Sequence, residues 1–425
     1  MLIVTYYWPP AGGPGVQRVL KFAKYLPQFG WEPIILTVEN GNYPAIDEEL
    51  VAEVPNGLKV YRTKTLEPFA LYNKFRGQSK KSGIDTFTIT KTNKSSKEKL
   101  AQLIRDYFFI PDARKGWKYY AVPKGVDIVE KEGVDLIFSS SPPHSLQLIA
   151  KKIAKKTSIP WFADFRDPWS NAFWLSERQK KGFIGKMNRR LEKKVFMAIQ
   201  HFSTVSQGFF DEYLLYHPDN RGRGTLIHNG FDDSDFEGIY QQRNSVFTLR
   251  YIGTLAQSQN PVIFFEALAR FLKRGLPIKV EFWGKFDDAI KRTCQSLGLE
   301  SVVSFHPYVS HRKAVELMVN SDMLLLIIPF EYSKGILTGK LYEYIASAKP
   351  ILGLGPDDSE AKQIIEDHDF GRYFSQSQGM EEYLTSCVIK QAEYTSLSPD
   401  RNIFSRKKAT EVLANEFDKL VRFKV

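Results

Sequence analysis

The sequence predicts an α/β protein made of two Rossmann-like, doubly wound halves with parallel sheets. Strand-length apolar runs alternate with helix-length amphipathic segments through both halves of the 425 residues. The run "MLLLIIPF" (Met323–Phe330) has no polar alternation, which is typical of a parallel strand covered on both faces. The alternation restarts near "HNGFDDSDF" (His228–Phe236). Because the chain is too long for one ordinary core, we expect two domains of roughly 200 residues.

In the first half, hydrophobic periodicity places strands and helices in alternation. The predicted strands are Leu2–Tyr6, Glu32–Thr37, Leu136–Ser139, Trp161–Asp164 and His201–Val205. The predicted helices are Val16–Gln28, Ser145–Lys156 and Met187–Ile199. The polar stretch Gly77–Glu98, rich in Ser, Lys and Thr, is interpreted as a surface insertion.

The second half repeats the pattern with five strand-like runs. They are "FTLRYIG" (Phe247–Gly253), "IKVEFWG" (Ile278–Gly284), "VVSFHPY", "MLLLIIP" and "PILGLG". We therefore predict an N-terminal domain over 1–232 and a C-terminal domain over 233–405. A C-terminal helix over 406–425 is expected to pack back on the N-terminal domain.

Composition bounds the chemistry. The two cysteines, Cys294 and Cys387, form no CxxC, and the seven histidines show no HExxH, so we expect no disulfide framework, no metal and no cofactor. No apolar run approaches the roughly 20 residues that cross a bilayer, and the N-terminus begins directly in a strand, so we expect a cytoplasmic protein. The net charge of +11 indicates an anionic partner: a nucleotide, a phospholipid surface or a nucleic acid.

The loop after the first predicted strand, "YYWPPAGGPGVQR", is rich in glycine. Gly12, Gly13 and Gly15 let the backbone pass close to a ligand, or simply form a tight turn shaped by the prolines. The spacing matches neither G-x-G-x-x-G nor G-x-x-x-x-G-K-[ST]. A dinucleotide dehydrogenase and a P-loop nucleotidase therefore lose support.

Two further loops, "SSSPPHS" (Ser139–Ser145) and "ADFRDPWS" (Ala163–Ser170), follow predicted strands on the same side of the sheet. Asp164 is a catalytic candidate there, although Arg166 with either Asp164 or Asp167 could equally form a structural ion pair that pins the loop. His144 either caps the helix that begins near Ser145 or faces a cleft as a polar catalytic contact.

In the second half, Gly253 and Thr254 of "YIGTL" end the first strand, where backbone N–H groups can hold a phosphate. In "GILTGKLYEYIASAKPILGLG" (Gly335–Gly355), the helical periodicity buries Leu341, Tyr344 and Ile345, with Thr338 as N-cap. Lys340 and Glu343 share a polar face of this short helix. A surface ion pair is the simple explanation, but the helix follows the carboxyl end of a parallel strand, where ligands bind.

Taken together, these stretches resemble the GT-B glycosyltransferases, and specifically the glycosyltransferase family 4-like group. The motifs that carry the resemblance are "YYWPPAGGPGVQR", "SSSPPHS", "ADFRDPW", "STVSQG" (Ser203–Gly208), "HNGFD", "YIGTL" and "GKLYEYIASAKPIL". They lie in family order from Tyr6 to Leu352. The resemblance implies the GT-B architecture, in which two Rossmann-like domains face each other across a cleft, and metal-independent transfer of a sugar from a nucleotide-sugar donor.

The resemblance also implies roles for individual residues. The glutamate equivalent to Glu343 binds the donor ribose, and the start of its helix points at the diphosphate, where Lys340 would stabilise the leaving group. The implied reaction is a retaining hexosyl transfer to a glycan or lipid-linked acceptor in cell-surface polysaccharide synthesis. The expected donor-binding residues are Gly13, Gly253, Thr254, Lys285, Thr338, Gly339, Lys340, Leu341 and Glu343.

Two features depart from the family pattern. Gly335 occupies the position of the first glutamate of the usual pair, which faces the transferred sugar in the family. The basic pair that commonly follows "GTL" is missing, because "AQSQNP" (Ala256–Pro261) carries no charge. Lys340, Lys285 or Arg18 are the candidates to replace it.

The segment Glu177–Phe196 holds eight basic and two acidic residues, a local net charge of +6. Its residues Ile184, Met187, Leu191 and Val195 fall on one helical stripe. A basic amphipathic helix of this kind can lie on the inner, anionic face of a membrane as a peripheral contact. The membrane-facing candidates are Lys180, Lys181, Lys186, Arg189 and Arg190. The alternative is a core-facing stripe with a solvated basic face.

Two other functions compete with transfer. A sugar-nucleotide epimerase on the same GT-B fold would use carboxylates and histidines such as Asp164 and His144 as acid and base. A nucleic-acid-binding protein is suggested by the charge and by the 14% aromatic content. No nucleic-acid module is recognised, however, and the aromatics lie mostly in apolar strands, so we expect no nucleic-acid partner.

Overall fold

The computed structural model describes residues 1–67, 110–172, 175, 177–330, 335–390 and 400–422. The chain divides into two compact units. Unit 1 comprises Met1–His228 and Ala409–Val425, and unit 2 comprises Asn229–Lys408. The predicted boundaries at 232/233 and 405/406 differ from these by a few residues. The predicted insertion Gly77–Glu98 lies outside the described residues.

Unit 1 contains a sheet of seven parallel strands within the described residues. The strands are β1 Leu2–Val4, β2 Ile34–Val38, β3 Lys59–Thr63, β4 Ile137–Ser141, β5 Trp161–Phe165, β6 His201–Thr204 and β7 Gly224–Leu226. Their spatial order is β3-β2-β1-β4-β5-β6-β7. The helices are α1 Pro14–Tyr25, α2 Glu49–Ala52, α3 Lys118–Glu132, α4 Ser145–Thr157, α5 Glu177–Lys181, α6 Phe183–Phe196 and α7 Gln207–Tyr216.

Unit 2 contains a second parallel sheet, with six strands in its described part. The strands are β8 Phe247–Ile252, β9 Ile278–Trp283, β10 Val303–His306, β11 Met323–Ile327, β12 Ile351–Leu354 and β13 Gly371–Phe374. Their order is β10-β9-β8-β11-β12-β13. The helices are α8 Val262–Leu272, α9 Asp288–Ser296, α10 His311–Val319, α11 Gly339–Ala346, α12 Glu360–Asp367 and α13 Met380–Ile389, and α14 Arg406–Arg422 closes the chain.

The predicted fold class, two Rossmann-like halves with parallel sheets, is confirmed. Each predicted strand overlaps an observed one, because apolar, β-branched runs without alternation are the signal of doubly covered strands. Strands β3, β7 and β13 were not predicted. In β3 the exposed Lys59 and Arg62 interrupt the apolar pattern, because this strand lies at the edge of its sheet.

Both faces of each sheet are covered. In β1, Leu2 and Val4 belong to one hydrophobic cluster, whereas Ile3 belongs to the cluster on the opposite face. In β11, Leu325 belongs to the cluster on one face of the unit 2 sheet, and Leu324 belongs to the cluster on the other face. Successive side chains of a strand point to opposite faces, so an uninterrupted apolar run supplies both cores.

Most of α14 belongs to unit 1, although it follows unit 2 in the chain. Phe417 of α14 packs edge-on against Trp31, Phe138 and Phe162, with ring centroids 5.2–5.6 Å apart. Trp31 Nε1 also donates a hydrogen bond to Asp418 at 3.0 Å. The end of the chain therefore completes the core of unit 1.

Each sheet has one point at which its strand order reverses. In unit 1 this switch point lies between β1 and β4, and in unit 2 it lies between β8 and β11. Open α/β sheets bind ligands outside the carboxyl ends of the strands at such points. The glycine-rich loop and Ser139–Ser145 lie at the carboxyl ends of β1 and β4, and Gly253 and Thr254 follow β8, whereas Ala163–Ser170 lies at the end of β5, the neighbour of β4.

None of the described helices is both long enough and apolar enough to cross a membrane.

Candidate functional site

Helix α11 lies beside the switch point of unit 2. Leu341 and Tyr344 face the core, while Lys340 and Glu343 are half-buried on the other face. Thr338 occupies the N-cap position, as predicted, but its side chain makes no capping bond. Its Oγ1 is buried and has no hydrogen-bond partner in the described chain. The first-turn N–H groups of an α-helix have no partner inside the helix, so they can bind an anion.

The side chain of Lys340 crosses to the end of β8. Its Nζ lies 5.4 Å from the ring centroid of Tyr251. A Cβ at Gly253 would collide with Cε of Lys340, and Gly253 has φ +139°, so only glycine fits there. Burial lowers the pKa of Lys340, and the charge of Glu343 acts in the opposite direction. The strand end therefore holds a partly desolvated cation.

The carboxyl ends of β8 and β9 approach each other closely. Gly253 N donates to Trp283 O at 2.8 Å. Gly284 has φ +144°, and a Cβ there would collide with the carbonyl oxygen of Gly253. Thr254 and Lys285, which follow the two strands, are exposed. The predicted donor-binding positions at these strand ends therefore lie side by side.

Glu343 has a partner that the sequence did not indicate. Its Oε1 lies 3.3 Å from Nε2 of His311, the first residue of α10. Both side chains are partly exposed, at 30% and 43% respectively. The contact orients the Glu343 carboxylate while leaving one oxygen open to a ligand.

Tyr344 fixes α11 against β8. Ile252 N donates to Tyr344 Oη at 3.1 Å, which joins residues that are 92 positions apart in the chain. Leu341 differs from the other predicted donor contacts. Its side chain is fully buried in the core and its N–H donates to Thr338 O at 3.1 Å. Neither the side chain nor the N–H group of Leu341 is therefore available to contact a donor. The residue anchors the helix to the core.

In unit 1, Asp164 lies at the end of β5 and is fully buried. Arg18 donates to it from Nη2 at 2.9 Å and from Nε at 3.0 Å, and the hydroxyls of Ser140 and Ser203 donate at 2.6 and 2.7 Å. Burial alone raises the pKa of Asp164, but Arg18 and these hydrogen bonds outweigh it and hold the pKa below its ordinary value. Both carboxylate oxygens are occupied, so Asp164 joins β4, β5, β6 and α1 and offers no open face for catalysis.

The ion pair expected in this loop is made by Arg18 and not by Arg166. Arg18 also donates to Ile227 O and His228 O, both at 2.9 Å. Its guanidinium is therefore committed to the core, and its suggested role as a replacement phosphate cation is contradicted. Lys340 and Lys285 remain as candidates.

Arg166 lies instead beneath the glycine-rich loop. Its Nε and Nη2 donate to the carbonyls of Ser141 and Pro142 at 3.2 and 2.7 Å. A Cβ at Gly15 would collide with its Nη1, so Gly15 makes room for a side chain of the protein itself. Gly13, at the N-cap position of α1, has φ +104°. Of these two glycines, only Gly13 has a backbone conformation that requires glycine.

His144 occupies the N-cap position of α4, but its side chain makes no capping hydrogen bond. Asp112 caps the helix from elsewhere in the chain, because it accepts hydrogen bonds from Ser145 N at 2.7 Å and from Ser145 Oγ at 2.8 Å. The His144 ring stacks on Trp169 with a centroid distance of 4.9 Å. Burial, together with the charge of Arg166, lowers the pKa of His144 to about 3. The imidazole is therefore neutral at physiological pH.

A carboxylate near the end of β3 is a further candidate functional group that the sequence did not indicate. Burial raises the pKa of Glu67 to about 7, and the residue accepts a hydrogen bond from Tyr6 Oη. Nothing in the local pattern "TLEP" distinguishes this glutamate from a surface residue. Its burial depends on the pairing of β3 with β2 and on the aromatic residues after β1.

The basic segment divides into α5 and α6. Ile184 and Val195 of the apolar stripe are buried, and Leu191 packs against the core. The apolar stripe therefore packs on the core of unit 1, and membrane contact through the basic residues stays a prediction. Lys180 is partly buried, and the other predicted membrane-facing cations, Lys181, Lys186, Arg189 and Arg190, are exposed.

Among the described residues, no three His, Cys, Asp or Glu side chains lie together as metal ligands would. Both cysteines are buried, and they form no disulfide bond within the described chain. The expected metal independence stays a prediction.

Comparison with solved structures identifies the architecture. The chain is similar to Anabaena HepE, solved in complex with UDP, with a TM-score of 0.60, 14% identity, and coverage of 98% of this chain and 99% of that one. It is similar to sucrose-phosphate synthase of Thermosynechococcus elongatus, with a TM-score of 0.61, 12% identity, and coverage of 99% and 98%. It is also similar to the lipopolysaccharide outer core galactosyltransferase WaaB, with a TM-score of 0.54, 12% identity, and coverage of 100% and 99%.

No protein-family model and no curated protein sequence matches the chain. At these identities the likeness shows the fold, and the two parallel sheets are those of the GT-B architecture.

Proposed function

We propose that this protein is a glycosyltransferase that moves a sugar from a nucleotide-sugar donor to a glycan or lipid-linked acceptor. The observation that carries the proposal is the position of Lys340. It is a partly desolvated cation in the first turn of α11, at the switch point of the sheet of unit 2. The UDP complex of HepE supports a nucleotide-containing donor for this architecture.

In the proposed donor complex, the diphosphate lies at the start of α11. The N–H groups of Gly339 and Lys340 and the hydroxyl of Thr338 donate to it, with Gly253, Thr254 and Lys285 as further contacts. The buried Thr338 Oγ1 supports this role, because a hydroxyl without a partner is costly unless a ligand satisfies it. Glu343 accepts hydrogen bonds from the ribose hydroxyls.

The chemical step breaks the bond between the anomeric carbon and the diphosphate oxygen. The bonding electrons leave with the nucleoside diphosphate, and the acceptor hydroxyl forms the new glycosidic bond while its proton passes to an oxygen of the departing diphosphate. Negative charge therefore grows at the end of α11, where the helix N-terminus and Lys340 stabilise it. Neutral His144 is suited to hydrogen-bond a sugar hydroxyl. We further propose that the transfer is retaining, uses a hexose and needs no metal.

For the biological setting, we propose cell-surface polysaccharide synthesis in the cytoplasm, at the inner face of the membrane. The similarity to WaaB supports this setting, as does the exposed basic face formed by Lys181, Lys186, Arg189 and Arg190. The two cysteines are buried and form no disulfide bond within the described chain, which is compatible with a reducing compartment.

A screen of nucleotide-sugars by thermal stabilisation tests the proposal. A donor that binds only the folded protein raises its melting temperature in proportion to the logarithm of its concentration. We expect stabilisation by one nucleotide-sugar and by its nucleoside diphosphate, and release of that diphosphate when the acceptor is added. If the protein converts the donor to an epimer when no acceptor is present, its function is epimerisation and not transfer. If no nucleotide-sugar stabilises the protein, both functions are refuted.

Glu343→Ala is expected to weaken donor binding by about 10- to 150-fold, because a hydrogen bond to a charged group contributes about 1.5–3 kcal/mol. The melting temperature should change little, because the side chain lies outside the buried face of α11. Calorimetric titration with the donor measures the effect. The matched control is Glu316→Ala, which removes an exposed glutamate from α10. Equal donor affinity of the parent and Glu343→Ala would exclude the ribose role.

Replacing Lys180, Lys181, Arg189 and Arg190 with glutamine is expected to abolish co-sedimentation with anionic vesicles. Each basic residue near an anionic surface contributes about 1 kcal/mol, and binding of the parent should weaken as salt is added. The control replaces four exposed cations of unit 2, namely Lys273, Arg274, Lys291 and Arg292, and so removes the same charge. If both variants lose vesicle binding to a similar degree, the effect depends on net charge alone. If the parent protein stays in the supernatant, membrane docking is excluded.

A further inference from the structure

A cavity of about 430 Å³ opens at the amino-terminal edge of the sheet of unit 1. It lies between the end of α4, the chain that leads into β5, the chain between α6 and β6, and the last turns of α14. The lining residues that matter here are Lys151, Lys155, Ile159, Pro160, Ala198 and Leu420. Since the polar loops of unit 1 follow the carboxyl ends of these strands, this cavity is separate from the candidate site.

Positive charge is concentrated in this cavity. Lys151 and Lys155 lie one turn apart on α4, and Lys151 Nζ donates to Lys194 O, at the end of α6, at 2.5 Å. No acidic side chain is among the lining residues in the described chain. Burial, followed by the charges of Lys194 and Lys155, lowers the pKa of Lys151. An anion placed between the two ammonium groups would remove this repulsion.

Most of the remaining wall is apolar, and Ser158 and Gln200 are its polar residues. Ile159 and Ala198 are partly buried and pack on the hydrophobic cluster that contains fully buried Trp161. Leu420 packs on the cluster of the opposite face of the sheet. The volume falls in the range of ligand pockets, about 300–1,000 Å³. A free phosphate would fill only part of this space and would leave the apolar wall in contact with water. A ligand that carries an alkyl chain next to its anionic group matches both parts of the cavity.

We propose that this cavity binds an anionic amphiphile, namely the phosphate and the first carbons of a membrane phospholipid. The contact of Lys151 with the end of α6 makes the cavity continuous with the exposed basic residues of that helix. The phosphate would lie between Lys151 and Lys155, and the alkyl carbons would lie against Ile159, Ala198 and Leu420. The proposal concerns binding alone and does not depend on the transfer reaction.

Calorimetric titration of the full-length protein with three probes tests this proposal. Octyl phosphate carries both the phosphate and an alkyl chain. Inorganic phosphate carries the anionic group alone, and octyl glucoside carries the alkyl chain without a charge. We expect octyl phosphate to bind at least about tenfold more tightly than either of the others, because it alone satisfies both the charges and the apolar wall. Equal affinity for inorganic phosphate would identify a plain anion site, and equal affinity for octyl glucoside a plain apolar pocket. Either result would overturn the proposal.

Two variants locate the binding. The double variant Lys151→Gln and Lys155→Gln is expected to lose at least about tenfold in affinity for octyl phosphate. Lys152→Gln with Lys156→Gln is the matched control, because it removes the same charge from exposed positions of the same helix and should retain binding. Ala198→Leu keeps all charges but narrows the cavity, and it should also weaken octyl phosphate. Unchanged affinity in the first variant or in Ala198→Leu, with the fold intact by circular dichroism, would contradict the assignment.

Vesicles connect the probe to a membrane. The parent protein should bind vesicles that contain phosphatidylglycerol, and octyl phosphate should compete with this binding. Displacement by inorganic phosphate at the same concentration as octyl phosphate would refute a lipid ligand.

Discussion

Replacing Lys340 with methionine is expected to lower kcat by about 10²- to 10³-fold while KM for the donor rises much less. Methionine keeps an unbranched side chain against Tyr251 and Gly253 but removes the charge. The loss is largest in the transition state, because the diphosphate gains charge only as it leaves, and one preorganised group of this kind contributes about 2.7–4 kcal/mol. Steady-state kinetics with saturating acceptor measures both constants.

Lys285→Met is the matched control for this experiment. Lys285 follows the neighbouring strand β9 and is exposed, so solvent already screens its charge and we expect a smaller effect on kcat. If Lys285→Met caused the large loss and Lys340→Met did not, the phosphate cation would have to be reassigned to Lys285. A rise in KM without a fall in kcat would make Lys340 a ground-state binding residue.

Replacing Asp164 with alanine is expected to destabilise the sheet of unit 1 by about 3–5 kcal/mol, because the change leaves the guanidinium of Arg18 buried without its counter-charge. The hydroxyls of Ser140 and Ser203 lose their acceptor as well. Hydrogen exchange at the amides of β4, β5 and β6 measures the opening of this sheet directly. Asp127→Ala is the control, since its ion pairs with Lys124 and Lys131 lie in solvent on the surface of α3 and should contribute little to stability.

The same carboxylate gives the protein a pH dependence. The pKa of Asp164 is lower in the folded state, so its contribution is fully present above the unfolded pKa of about 3.9 and is lost as the pH falls through the folded value. The parent protein should therefore lose stability below about pH 4 more steeply than Asp164→Ala. Parallel pH profiles for the two proteins, or protection factors unaffected by the substitution, would contradict the structural role.

The parts of the fold that the sequence predicted are those that depend on local periodicity. The run Met323–Ile327 is apolar at every position because both faces of β11 are covered, and this signal needs no knowledge of the neighbours. The buried and polar faces of α11 followed from the spacing of Leu341, Tyr344 and Ile345. The order of strand, loop and helix then placed Lys340 and Glu343 at the carboxyl end of a parallel strand. Their roles rest on the proposed function.

The pairing of polar side chains was decided by the tertiary structure. Asp164 selects Arg18, 146 residues away, over the adjacent Arg166, because β5 lies between β4 and β6 and faces α1. Asp112 caps α4 in place of His144 for the same kind of reason. The apolar stripe of α6 has the same periodicity whether it faces a membrane or a core. Only the packing of Val195 shows that it faces the core. Sequence periodicity by itself determined which face of each element is buried, whereas the order of the strands determined which distant residues meet there.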